Sequence, residues 1–126
     1  MARTSPSKFI AVVDDEPRVG EIIVMSLTMA GYEAKLFTDP ETFLHDLGAM
    51  DPAPDLLVTD YQMPRMNGLM LIQAAKRFLP ELRTISLSGT LHVSDIKEAD
   101  CMPDVSVPKP FRQAELLAAV RKALAK

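Results

Sequence analysis

Short apolar runs alternate along the chain with stretches in which apolar residues recur every three or four positions. Phe9–Val13 is an unbroken apolar run that stops at Asp14-Asp15-Glu16-Pro17, as expected of a strand buried on both faces. Val19, Ile22, Ile23, Ser26, Leu27 and Ala30 then follow helical spacing, with Pro17 suited to the first turn and Gly31 ending it. Met25 and Met29 are expected to help fill the packing of this helix. Ala34–Phe37 predicts a second strand. Asp39-Pro40 predicts a cap followed by the first residue of a second helix, with Gly48 as its terminator.

Two prolines and two aspartates make residues 50–55 a loop. Leu56-Leu57-Val58-Thr59 predicts a third strand running into Asp60. After a turn over residues 61–68, Leu69, Ile72, Ala75 and Leu79 mark a third helix, ended by Pro80. Thr84–Leu87 predicts a fourth strand and Val105–Val107 a short fifth. Leu116, Leu117, Val120 and Leu124 give the stripe of a last helix, whose Arg121, Lys122 and Lys126 suit its negative dipole end. The fourth helix of the alternation, between strands four and five, has only Ile96 and Ala99 as clear apolar repeats before Pro103. It is expected to be short or irregular. The alternation predicts an α/β fold, a single doubly wound domain over residues 9–126 after a tail of residues 1–8.

Composition narrows the function. The chain has 126 residues, 17 acidic and 14 basic, for a formal charge of −3, and 48% of its residues are hydrophobic. That length suffices for one domain with a real core. A small, dispersed acidic surplus gives no footprint for direct nucleic-acid binding or for an anionic membrane. One cysteine, Cys101, makes neither an internal disulfide nor a cysteine-rich zinc site. The first eight residues hold no apolar stretch of the secretory kind, and the charge-free run from Ile22 to Tyr32 is 11 residues, short of the roughly 20 needed to cross a bilayer. No membrane insertion and a cytoplasmic location are expected. His45 and His92 lie on different elements without metal-ligand spacing and are expected at the surface.

In an open parallel sheet, ligands bind beyond the carboxyl ends of the strands. Those ends carry Asp14-Asp15, Asp60, Ser88-Gly89 and Lys109-Pro110. Taken singly, an Asp pair before a helix reads as a cap, Asp60 and Ser88-Gly89 as turns, and Lys109 as a solvated lysine. Together they make one chemistry. Two like charges ~4 Å apart cost about 4 kcal/mol at an effective dielectric near 20. A hard divalent cation relieves that repulsion, and oxygen ligands with retained waters describe Mg²⁺ better than zinc. An ammonium and a hydroxyl beside it could hold phosphoryl oxygens, with a carboxylate as nucleophile.

Val12-Val13-Asp14-Asp15-Glu16, Asp60-Tyr61-Gln62-Met63-Pro64-Arg65-Met66-Asn67-Gly68, Ser88-Gly89 and Lys109-Pro110-Phe111 resemble, in order, the motifs of a response-regulator receiver domain. The resemblance implies a five-stranded parallel sheet of order 2-1-3-4-5, the arrangement for which a receiver-type protein is itself a standard example. It implies that Asp60 accepts a phosphoryl group from a histidine kinase or histidine phosphotransfer protein. It further implies that Asp14, Asp15, Asp60 and the Gln62 backbone carbonyl hold Mg²⁺, or Mn²⁺ in its place. Ser88 and Lys109 match the hydroxyl and ammonium that contact the phosphoryl group. Gln62 and Thr90 match positions that modulate its loss, and the Lys109-Pro110 bond matches one often cis. The protein so implied is a signalling phosphoacceptor rather than a conventional enzyme, promoting its own phosphorylation and slow dephosphorylation and acting on an unspecified downstream protein.

Pro64 fixes φ in the loop after Asp60, and Gly68 is expected to supply a backbone shape that other residues resist. One position departs from the resemblance: Ser106 stands where receivers commonly carry an aromatic, and it has neither the volume nor the ring of one. This keeps open an alternative, a receiver-fold interaction module working without phosphorylation. Two rivals fit less well. An aspartyl-phosphate hydrolase of the haloacid-dehalogenase type resembles Asp-x-Asp, but Gln62 stands at the second position. A nucleotide-binding domain lacks its motif, since glycines 20, 31, 48, 68 and 89 form neither G-x-G-x-x-G nor a P-loop.

Overall fold

In the computed structural model, which describes residues 8–88 and 102–125, each apolar run becomes a strand of one sheet. The elements in chain order are β1 (Phe9–Val13), α1 (Pro17–Met29), β2 (Glu33–Phe37), α2 (Pro40–Leu47), β3 (Leu56–Asp60), α3 (Gly68–Phe78), β4 (Arg83–Ser88), β5 (Val105–Pro108) and α4 (Gln113–Leu124). All pairings are parallel and the strand order is β2-β1-β3-β4-β5. The helix expected between β4 and β5 lies outside the described residues.

Alternation along the strands sorts the core into two layers. Ile10 and Val12 of β1, Leu56 and Val58 of β3, and Ile85 and Leu87 of β4 pack with Ile23 and Leu27 of α1 and Leu116 and Val120 of α4. Ala11, Val13 and Leu57 face the other way, onto Phe43 and Leu47 of α2 and Leu71, Ile72 and Ala75 of α3. Past Leu57 this second face turns polar: Thr59, Thr84, Ser86 and Ser88 are all buried.

Helix ends follow local chemistry. Asp39 caps α2 by accepting from the Thr42 N–H, and Pro40 occupies the first turn, as expected. Gly31, after the end of α1, has φ +101°, a shape that suits glycine. Two caps were not anticipated. Asn67 accepts from the Met70 N–H to start α3, and Glu115 reaches back to the Arg112 N–H at α4. Asp55 accepts from the Phe9 N–H that opens β1, and Asp104 from the Thr84 N–H near the start of β4. Arg121 and Lys122 do fall in the last turn of α4.

The expected packing of Met25 and Met29 is not what the fold shows. They are 62% and 76% exposed, and Ile22 is 65% exposed. Helix α1 covers only one layer, so a narrow stripe of Gly20, Ile23 and Leu27 suffices to bury it, and the apolar residues beside that stripe face outward. His45 is at the surface beside Asp46. No helix among the described residues is long and apolar enough to cross a membrane.

Candidate functional site

Because every strand runs the same way, residues following β1, β3, β4 and β5 collect at one edge of the sheet. Asp14, Asp15 and Asp60 meet there, each with a carboxylate oxygen within 4.8 Å of the others. The ammonium of Lys109 lies 3.0 Å from Asp60 Oδ1, the one cation that an ion pair brings to this cluster among the described residues. Its backbone is set by β4, since the Lys109 N–H donates to the Ser88 carbonyl at 2.8 Å. The Lys109–Pro110 bond is cis, as the resemblance implied, and Pro110 is exposed.

The charges do not balance. Three carboxylates face one ammonium, and Asp14 and Asp60 are only 1% and 6% exposed. Asp14 Oδ1 accepts from the Glu16 N–H at 2.9 Å, while its Oδ2 is buried with no partner among the described residues. Burial pushes the Asp14 carboxyl up to about 6; the Glu16 amide opposes this, Asp60 adds to it, Lys109 opposes it and Asp15 adds again. Asp14 is therefore not the helix cap that an Asp pair suggests: Glu16 occupies that position, without a side-chain bond. An orphaned carboxylate oxygen in an all-oxygen donor set fits a hard divalent cation such as Mg²⁺ or Mn²⁺.

The segment after β3 is tied down at both ends. The Tyr61 N–H donates to Leu87, the Gly68 N–H to the Tyr61 carbonyl at 2.7 Å, and the Thr59 hydroxyl to the Asp60 carbonyl. Gly68 is needed for contact rather than for an unusual backbone angle. A Cβ there would meet the Asp60 carbonyl oxygen at 2.7 Å. The unusual angle belongs to Arg65, at φ +68°, the one non-glycine residue with positive φ among those described. Sequence reasoning missed it, having placed the special backbone at the glycine. Gln62 has its side chain exposed at the rim.

Ser88 is 5% exposed and its Oγ has no partner among the described residues; the same holds for Ser86 Oγ, two residues earlier on the same face. Ser106 pairs in register with Ser86 and is exposed. Thr90 and Gly89 lie outside the described residues. The described arrangement thus presents a carboxylate paired with an ammonium, two further carboxylates suited to a divalent cation, and a buried hydroxyl without a partner among the described residues.

Comparison with known proteins identifies the family and the fold. A family model described as the response regulator receiver domain matches residues 10–121. The chain is 37% identical over 116 residues to the response regulator MprA of Mycolicibacterium vanbaalenii, covering 91% of this chain and 49% of that protein. It is 33% identical over 117 residues to the DNA-binding transcriptional regulator NtrC of Azospirillum brasilense, covering 91% of this chain and 24% of that one. The chain thus spans half or less of the length of these relatives. In fold it is similar to a CheY-like receiver domain protein of Methanospirillum hungatei, with a TM-score of 0.86 at 21% identity over 95% of each chain.

Proposed function

The chain belongs to the response-regulator receiver family, and from that premise we propose that residues 9–126 act as a phosphoacceptor switch with Asp60 as the acceptor. The observation that carries this is the meeting of Asp60 with Lys109 and two further carboxylates at the carboxyl edge of the sheet.

The donor is a phosphohistidine of a histidine kinase or phosphotransfer protein. An Asp60 carboxylate oxygen attacks phosphorus, the P–N bond breaks, and its electron pair returns to the imidazole nitrogen, which takes up a proton. Lys109 holds the acceptor carboxylate in place and offers its ammonium to a phosphoryl oxygen as charge moves onto the aspartate. Ser88, buried and without a partner among the described residues, turns its hydroxyl to another phosphoryl oxygen. Asp14, Asp15, Asp60 and the Gln62 carbonyl would hold Mg²⁺ or Mn²⁺, which when bound offsets the charge of the carboxylates and the phosphoryl group. Gln62, Thr90, Ser106 and Pro110 modulate the rate or the readout. The product is a change in binding to a downstream protein within the cytoplasm.

Titration with beryllofluoride and Mg²⁺ tests this reading. Amide shifts at Ser88 and Lys109 that vanish in Asp60→Asn support it; unchanged spectra in the wild type oppose it.

A further inference from the structure

β2 stands at one edge of the sheet. Among the described residues it pairs only with β1, and no strand lies beyond it. The Glu33 N–H donates to the Lys8 carbonyl, and the Phe37 carbonyl accepts from the Asp14 N–H. Glu33, Lys35 and Phe37 therefore turn their peptide groups towards β1, while Ala34 and Leu36 turn theirs outward. The same parity sorts the side chains. Ala34 and Leu36 lie on the α1 face, and Lys35 stands over the Phe37 ring on the α2 face, its Nζ 5.2 Å from the centroid. Glu33 and Lys35 are exposed, and among the described residues neither is ion-paired.

This edge is complementary to itself in one register. A two-fold axis normal to the sheet sets β2 of two copies antiparallel, and hydrogen bonding then requires outward residues to oppose outward residues. With Ala34 opposite Ala34, the two exchange both their bonds. Glu33 of each copy then faces Lys35 of the other, in the rung without hydrogen bonds where side chains come closest. Shifting the register one way sets Glu33 against Glu33, and the other way Lys35 against Lys35. The α1 face favours the same choice. Met25, Met29, Val24 and Leu36 line an apolar groove of about 460 Å³ between α1 and β2. The charge-matched register puts Tyr32 of the second copy opposite Leu36, at this groove. We propose that β2 is a self-association edge: two copies join antiparallel about Ala34 into one continuous sheet, covering Met25 and Met29 of each α1. The acceptor edges of the two copies then point in opposite directions, and both stay uncovered.

Sedimentation equilibrium of the full chain, at concentrations up to millimolar, tests this. The wild type should show a monomer–dimer equilibrium. Glu33→Lys and Lys35→Glu each set like charges opposite one another at two rungs, and each should weaken dimerisation by about tenfold. An equimolar mixture of these two variants should recover the wild-type affinity, because the mixed dimer again opposes unlike charges at both rungs. Ala34→Pro removes the outward N–H and leaves the bonds to β1 intact, so it should abolish dimerisation while thermal melts show a folded monomer. A wild type that stays monomeric throughout overturns the proposal. A dimer that the charge variants leave unchanged, or that their mixture fails to restore, also overturns it, since such a dimer uses another surface or register.

Discussion

A Cβ placed on Gly68 would stand 2.7 Å from the backbone carbonyl oxygen of Asp60 and 3.0 Å from the Tyr61 Cα. The first turn of α3 is therefore seated on the peptide that presents the Asp60 carboxylate. Backbone must move to admit a methyl group, so Gly68→Ala is expected to lose about 1–3 kcal/mol of stability and to slow phosphorylation. Gly20 gives the contrast. A Cβ there meets the flexible tip of the Leu36 side chain, so Gly20→Ala should cost less. Denaturant unfolding of the two variants orders them.

Gly68 also shows where sequence reasoning ends. Strands β1 and β3, buried almost throughout, appear as apolar runs, and the alternation with helices fixes the strand direction, so the sheet and its carboxyl edge were legible. Asp14, Asp15, Asp60, Ser88 and Lys109 followed because each ends or directly follows a strand. A glycine's steric role depends on what packs against it, which spacing does not reveal. Arg65 was illegible for the same reason: its guanidinium pairs with Asp39 and Glu41, 26 and 24 residues earlier in the chain. Met25 and Met29 misled because helical periodicity marks apolar positions without saying which of two adjoining stripes is covered.

Lys109 is the ion-pair partner of a carboxylate only 8% exposed. Lys109→Met leaves that charge beside Asp14 and Asp15 without a counterion. In metal-free buffer at neutral pH it should destabilise the chain by about 1–3 kcal/mol. Saturating Mg²⁺ should recover part of the loss. Equal thermal midpoints for variant and wild type without metal would contradict this.

Asp14 gives a pH dependence of definite sign. Its folded pKa of about 6 exceeds the ordinary 3.8, so the folded state binds the extra proton between these values. Stability from this group is highest below pH 4 and declines as pH rises through 6, by at most about 3 kcal/mol. Asp14→Asn should therefore raise metal-free stability at pH 7, with the gain fading towards pH 4. The same variant should bind Mg²⁺ weakly. Chemical denaturation across that range checks both halves.

Ser88 separates folding from switching. Its hydroxyl is buried without a partner among the described residues, so Ser88→Ala removes an uncompensated polar group. Stability should be unchanged or slightly higher, within about 1 kcal/mol. The response to beryllofluoride should nevertheless shrink. A large stability loss with an intact beryllofluoride response would reverse the assignment.

The proposed switch depends on Asp60 as the acceptor, and intact-mass analysis after incubation with Mg²⁺ and a small phosphodonor tests that most directly. The wild type should gain the mass of one phosphoryl group, stable in acid and lost in base, and Asp60→Asn should gain none. No adduct on the wild type, under conditions that label other receivers, would contradict the account and leave a receiver fold that works by binding alone.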